Sequence, residues 1–502
     1  MLKLNRGARL AAAVIVAASV TTATSAGLAA SSAKPAAKPA KIKNVIYLVG
    51  DGMGRTHVTA ARERFHGADS QLAMEALGTV GQVSTYAVEK GSGQPGDADF
   101  APNYVTDSAS SATAWSSGVK TYNAALGVDA KGTVVPTVME LAKQAGFRTG
   151  NVSTAEITDA TPAGQMSHAL ARGCQGPTYS EAACQAPDVT GAALPTTDVR
   201  VIPIADQIAR NGTADVILGG GLSRFDAEDE QALKDQGYAV LGSPATQTVA
   251  TGDDLAAASG RKVFALFNKG NMTVEKFKRE NPTSPQAEEP TLAEMTTKAI
   301  DLLRSSNPKS GKGFFLQVEG ALIDKRSHAN DAAQTLEEMK AFDEAVAAAQ
   351  AFAKADGHTL VIVTADHECA GFNIIEKGTF TNAEATTPPA NVDSGNTANN
   401  SVPSRAKGGS KDATRSSGII NGAGSADQNN FAPATFRTPD DPASVQDGSP
   451  EASLWLTYLS GNHTGADVPV FAYGPGSGKL AGSIDNTDLF GVFTSALKLA
   501  QG

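Results

Sequence analysis

Three short runs in this chain are almost continuously apolar, and each leads into an acidic residue. Asn44–Val49 (NVIYLV) passes through Gly50 to Asp51, Gly313–Val318 (GFFLQV) meets Glu319, and Thr359–Thr364 (TLVIVT) passes through Ala365 to Asp366. A strand with one wet face alternates apolar and polar positions. A run without that alternation, rich in β-branched residues, belongs to a parallel sheet buried on both faces. Asp215–Leu218 and Val468–Tyr473 read as further strands, and so does Thr149–Ser153. Helical stretches separate them: Thr56–Phe65, Val134–Gly146, His168–Arg172, the amphipathic Thr291–Arg304, the long Asp331–Ala355 and a terminal Asn486–Ala500. This alternation predicts an α/β fold, doubly wound, with a mostly parallel central sheet and helices on both faces. Ligands bind such sheets beyond the carboxyl ends of the strands, so three carboxylates share the binding edge.

The remaining bounds are compositional. A chain of 502 residues with 41% hydrophobic content is long enough for one large α/β domain. A net charge of −10 and 6% aromatics argue against nucleic acid as a specific partner. Lys3, Arg6 and Arg9 precede a short apolar run, Leu10–Val20, followed by small residues. That pattern reads as a signal peptide over 1–29, cleaved within Ala26–Ala30, with no membrane span left after its removal and a secreted or periplasmic destination. Residues 30–41 read as an Ala/Pro/Lys linker and 42–502 as the main domain. Residues 376–450, rich in Asn, Thr, Ser, Gly and Pro, read as a low-complexity insertion on the surface. Residues 223–285 are polar and mixed and suggest no site. Cys174 and Cys184 sit ten apart in a Gly/Pro/Ser-rich segment and, in an exported protein, are expected to pair, leaving Cys369.

Polar residues gather after the strands. Asp324 and His328, four apart, share a face if that piece is helical. The Asp366-His367 doublet follows a buried strand, and His463 lies just before Val468–Tyr473. Carboxylates and imidazoles with little thiolate suit Zn²⁺, with a harder ion on oxygen ligands alone. Carboxylates this close would repel strongly without cations. The stretch Asn103–Gly118 (NYVTDSASSATAWSSG) carries few charges and many small residues. Thr106 or Asp107 is a good N-cap, which puts Ser108 in a first helical turn, where backbone N–H groups favour an anion. A serine hydroxyl needs a base or a metal to attack, and no G-x-S-x-G elbow surrounds this one. Gly50-x-Gly52-x-Gly54 lacks dinucleotide-loop spacing. His57, His66, His168 and His358 have no comparable context and read as structural.

The stretches VGDGMG (49–54), YVTDSASSATAW (104–115), STAEITDATPAG (153–164), FLQVEGALIDK (315–325), VTADHE (363–368) and NHTG (462–465) resemble, in order, those of the bacterial alkaline phosphatases. The family's fold is a doubly wound sheet. The resemblance implies Ser108 as nucleophile. It implies a first Zn²⁺ on Asp324, His328 and His463, and a second on Asp366 and His367, with Asp51 bridging to one Mg²⁺. Thr161 and Glu319 complete the magnesium ligands. Arg172 falls at the family's phosphate-binding arginine, and Asp159 and Lys325 at polar positions that act on magnesium and phosphate through water. Two metals ~4 Å apart would clamp both apical oxygens of an in-line displacement. The implied activity is a secreted, metal-dependent phosphomonoesterase that passes through phosphoserine and releases inorganic phosphate and an alcohol. Its partners are small phosphate monoesters, and the resemblance allows a homodimer.

Some members have a histidine where Cys369 stands, and the span between His367 and His463 is longer than in compact relatives. A diesterase or sulfatase on the same scaffold, and a non-catalytic zinc- or phosphate-binding protein, are the competing readings. Arg172 favours a dianionic monoester. The sulfatase motif C/S-x-P-x-R is absent around Ser108, and the intact serine and ligand set favour catalysis.

Overall fold

The computed structural model describes residues 41–185, 189–305, 311–378, 434–459 and 461–500. The expected signal peptide and most of the expected linker lie outside these residues, as do 379–433 of the expected insertion.

Ten strands form the central sheet. In chain order they are β1 (Asn44–Gly50), β2 (Thr79–Ser84), β3 (Arg148–Glu156), β4 (Val216–Gly220), β5 (Ala239–Leu241), β6 (Val263–Leu266), β7 (Phe314–Gly320), β8 (Thr359–Thr364), β9 (Val468–Tyr473) and β10 (Gly482–Asp485). Their order across the sheet is β10-β2-β9-β8-β1-β7-β3-β4-β6-β5. β9 pairs antiparallel with both its neighbours, β8 and β2, while the other adjacent strands pair in parallel. The apolar runs explain the centre. Every residue of β1, β7 and β8 is buried, which only helices on both faces allow. The 25-residue helix Ala332–Asp356 covers part of one face, and Leu292–Ser305 packs beside it.

Several expected boundaries move for local reasons. The helix expected from Val134 starts at Val138, because Thr137 caps it and Glu140 closes the capping box. The expected helix His168–Arg172 is not formed. Its main chain is drawn outward: Ala169 and Leu126 exchange main-chain hydrogen bonds, and Arg172 N–H donates to Ala124 O at 2.7 Å. The side chain of Gln207 takes up both polar groups of the His168 backbone. Residues 223–285 supply β5 and β6 and so extend one edge of the sheet. At the other end of the expected insertion, Ala434–Phe436 is a buried strand paired with Leu454–Thr457.

Candidate active site

Register brings the acidic residues together. Val49 of β1 lies opposite Thr364 of β8 and Glu319 of β7, and Ser153 of β3 lies opposite Glu319. Four adjacent parallel strands therefore end at one level, where Asp51, Asp159, Glu319 and Asp366 follow or terminate them. All four side chains are buried.

Two groups of ligand atoms form there. Those of Asp324, His328, Cys369 and His463 lie within 4.8 Å of one another, as do those of Asp51, Asp366 and His367. Asp324 and His328 come from successive turns of the helix Leu322–His328, with Oδ2 3.1 Å from Nε2. His463 arrives on a two-residue strand paired with Glu368–Cys369, and the Thr464 hydroxyl donates to Glu368 across that pairing. The His463 ring stacks on His367 with centroids 3.6 Å apart, so the two groups adjoin. Asp366 is aimed by Gly52 N–H, which donates to its Oδ1 at 2.9 Å. Ser111 Oγ, itself met by Asn486, donates to the Asp366 carbonyl.

The chemistry of these atoms fits cations. Among the described residues, Asp51 Oδ1, Asp366 Oδ2 and both oxygens of Asp324 are buried without a hydrogen-bond donor. Buried acceptors in this number carry a large desolvation cost that a cation offsets. Burial pushes the carboxyl of Asp51 well above the usual range, and the charges of Asp324, Asp366 and Glu319 push it further. Asp366 is raised by burial and by Asp324. Burial also raises Glu319 to about 8, although Ser153 donates to it. The hydroxyl of Thr161 is buried without a hydrogen-bond partner among the described residues. Burial drives the imidazole of His367 well below its ordinary value, leaving it a neutral ligand.

Beside these groups runs a line of alternating charge. Lys325 Nζ donates to Asp159 Oδ2 at 2.7 Å, Arg172 Nη2 to Asp159 Oδ1 at 2.7 Å, and Arg172 Nη1 to Asp107 Oδ2 at 3.2 Å. Burial opposes charge on Asp159, but Lys325 and Arg172 hold its carboxyl well below the usual range. Asp107 is the N-cap of the helix Ser108–Ser117 and accepts from Ser110 N–H. It also accepts from Ala124 N–H, next to the carbonyl that takes Arg172 N–H. One carboxylate thus places both the helix start and the guanidinium. Ser108 is the first residue of that helix, buried, with Oγ 3.3 Å from His367 Nε2.

All the expected site residues gather in this region. The disulfide Cys174–Cys184 forms two residues beyond Arg172 and packs in a small core with Leu170 and Val201. His57, His168 and His358 bond to Gly54 and Ser327, to Gly127 and Glu140, and to Lys41. His66 ends the helix Arg55–His66. None of these four belongs to a ligand group. Asp107 is one of the two expected N-caps, but its hold on Arg172 does not follow from the sequence reading, and neither do the placing roles of Ser153, Ser111, Asn486 and Glu368. Ser153 alone carries a legible signal, since it sits one strand from Glu319 once the strand order is known.

Comparison with known proteins agrees with this geometry. The family described as Alkaline phosphatase matches residues 42–499. The alkaline phosphatase of Escherichia coli K12 is 37% identical over 489 residues, covering 92% of this chain and 87% of that one. The streptomycin-6-phosphate phosphatase of Streptomyces griseus is 35% identical over 520 residues, covering 99% and 98%. Among solved structures, the alkaline phosphatase of the Antarctic bacterium TAB5 superposes with a TM-score of 0.60 at 26% identity, covering 92% of this chain and all of that one.

Proposed function

The chain belongs to the alkaline phosphatase family and is an alkaline phosphatase, and from that premise we propose that it hydrolyses phosphate monoesters outside the cytoplasm through a covalent intermediate on Ser108. The observation that carries this reading is the contact between Ser108 Oγ and His367, at a helix N-terminus that opens onto two groups of ligand atoms.

Asp324, His328 and His463 would hold one Zn²⁺, and Asp366 and His367, with Asp51, a second. Asp51, Thr161 and Glu319, oxygen donors only, suit one Mg²⁺. When bound, these ions supply the Lewis acidity that makes an alcohol, and then a water, reactive near neutral pH.

The chain's own residues do the rest. Ser108 Oγ forms the bond to phosphorus as the ester oxygen leaves with a proton. Water then breaks the phosphoserine bond and restores the hydroxyl, so the net products are an alcohol and inorganic phosphate. The first-turn N–H groups of the Ser108–Ser117 helix favour the dianion. Arg172, oriented by Asp107 and Asp159, presents a planar fork to two phosphate oxygens. Lys325 is buried beside Asp159 and within the field of Asp51, so it adds positive charge without reaching solvent. A diester would set its second substituent against Arg172, which favours the monoester. Export is supported by the basic and apolar start of the sequence and by the disulfide Cys174–Cys184.

The test compares an aryl phosphate monoester with the matching diester, with and without chelator, and looks for phosphate on Ser108 after an acid quench. Monoester turnover that stops with chelator and a labelled Ser108 are expected. Equal diester turnover, or label elsewhere, would overturn the reading.

A further inference from the structure

We propose that Cys369 is a fourth protein ligand of the first metal ion, bound as thiolate beside Asp324, His328 and His463. The inference rests on the metal-dependent reading above and goes beyond its three-residue ligand set.

The placement of Cys369 is built into the fold. Its N–H donates to Gly52 O at 3.0 Å, which ties it to the loop after β1. Gly52 has a φ of +71°, and a Cβ there would lie 2.8 Å from Cys369 Cβ and 2.9 Å from Asp324 Cβ. The missing side chain is what lets Cys369 and Asp324 converge. On its other side, the strand Glu368–Cys369 pairs Cys369 directly with His463. The sulfur is therefore fixed between two of the other ligands, and its ligand atom lies within 4.8 Å of all three. The thiol donates to the Asp324 carbonyl, with Sγ 3.7 Å from that oxygen, which holds the sulfur against the ligand it would join.

A second observation points to a cation at the same place. Both carboxylate oxygens of Asp324, buried at 1% exposure, have no hydrogen-bond donor among the described residues. Asp324 with two neutral imidazoles brings one negative charge to a dication. A thiolate brings the second and makes the site neutral, which matters in a buried place. On binding, the thiol proton passes to solvent and a metal–sulfur bond forms, with no change of oxidation state. The softer donor set favours Zn²⁺ or Co²⁺ over Mg²⁺ at this position. The added anion also weakens the ion's pull on any further oxygen, so the site gains retention at the expense of Lewis acidity.

The chain is suited to an unambiguous test. It has three cysteines, and Cys174 and Cys184 are paired, so any thiolate signal comes from Cys369. The disulfide-intact full chain would be loaded with Co²⁺ and its near-ultraviolet spectrum recorded. An intense sulfur-to-cobalt charge-transfer band is expected, absent in Cys369→Ser. The variant should also release its first ion to chelator at least about tenfold faster. A wild-type protein that binds Co²⁺ and turns over phosphate monoester without that band would overturn the proposal and leave the phosphatase reading intact. Failure to bind Co²⁺ or Zn²⁺ at all would overturn both. The wild-type band decides the matter even if Cys369→Ser does not fold.

Discussion

The Nε2 atoms of His328 and His463 face each other across 3.1 Å. Each ring already has its Nδ1 against a main-chain carbonyl, Gly461 at 2.7 Å and Thr106 at 3.1 Å. Such bonds fix the tautomer with the proton on Nδ1, so two lone pairs point at one another and at Asp324. Only a positive charge between them, a proton or a metal ion, makes this arrangement favourable. Metal removal should therefore cost stability as well as activity. At a thousandfold excess of ion over its Kd, binding contributes about 4 kcal/mol. Dialysis against chelator is expected to abolish monoester turnover and lower the thermal unfolding midpoint by several degrees, with Zn²⁺ and Mg²⁺ restoring both. An unchanged midpoint would mean that the two rings are held apart by something other than a bound ion.

Ser108→Ala should separate nucleophile from scaffold. Ser108 meets the second ligand group at His367, and its helix is started by Asp107, not by the serine. The variant is expected to keep its metal content and fold while losing at least about a hundredfold in kcat. Metal analysis and steady-state kinetics on the same preparation check this. Loss of zinc on that substitution would assign the hydroxyl to metal retention instead.

Much of the sheet and its binding edge is legible in the sequence. Asp51, Glu319 and Asp366 share an edge because uninterrupted apolar strands can only sit in a parallel sheet, and parallel strands end together. Asp324 and His328 are readable from helical spacing. Arg172 is placed by resemblance, but its segment is extended where the pattern predicts a helix. Nothing in the sequence shows that Gln207, far along the chain, takes up the His168 backbone and holds the segment open. Asn486, expected to start a helix, is buried and bonds to Lys120 and Ser111 instead. Long-range bonds of single polar side chains leave no periodic trace, so these placing roles emerge only from the folded chain.

Gly52→Ala should injure the first metal site. The residue sits at a positive φ, and its Cβ would collide with Cys369 and Asp324. Left-handed backbone costs a non-glycine residue about 1 kcal/mol or more before any clash. We expect a lower unfolding midpoint and weaker binding of the first ion, read by titration of the metal-free protein. Wild-type affinity in the variant would show that Asp324 and Cys369 have room to retreat.

The metal-free protein should have a stability profile inverted from that of an ordinary acid-sensitive protein. Burial raises Glu319 from 4.5 to about 8, and burial with neighbouring carboxylates raises Asp51 and Asp366. A raised carboxyl binds more protons folded than unfolded, so stability falls as pH rises between the two values. For Glu319 that window runs from 4.5 to about 8. Denaturant melts of the chelated protein are expected to show lower stability at the alkaline end of the window, with metals removing most of the slope. A chelated protein equally stable at both ends would mean that these carboxyls ionise without mutual penalty.

Arg172→Ala should weaken phosphate binding and spare the metals. The guanidinium contacts Asp107 and Asp159, neither of them in a ligand group, so its loss leaves the ligand atoms in place. Hydrogen bonds to a charged partner are worth about 1.5–3 kcal/mol. Partial exposure of the side chain reduces this, so inhibition by inorganic phosphate should weaken about tenfold. Asp159 keeps Lys325 as a partner, which limits the collateral loss. Reduction of Cys174–Cys184 is expected to act in the same direction and more weakly. The disulfide closes the loop beginning just after Arg172, and its small core holds Leu170, two residues before it. Inhibition constants for phosphate, measured on wild type, Arg172→Ala and the reduced protein at constant zinc occupancy, check both effects. An unchanged constant in Arg172→Ala would move phosphate recognition to the metals and the helix N-terminus alone. An unchanged constant after reduction would confine the disulfide to stability.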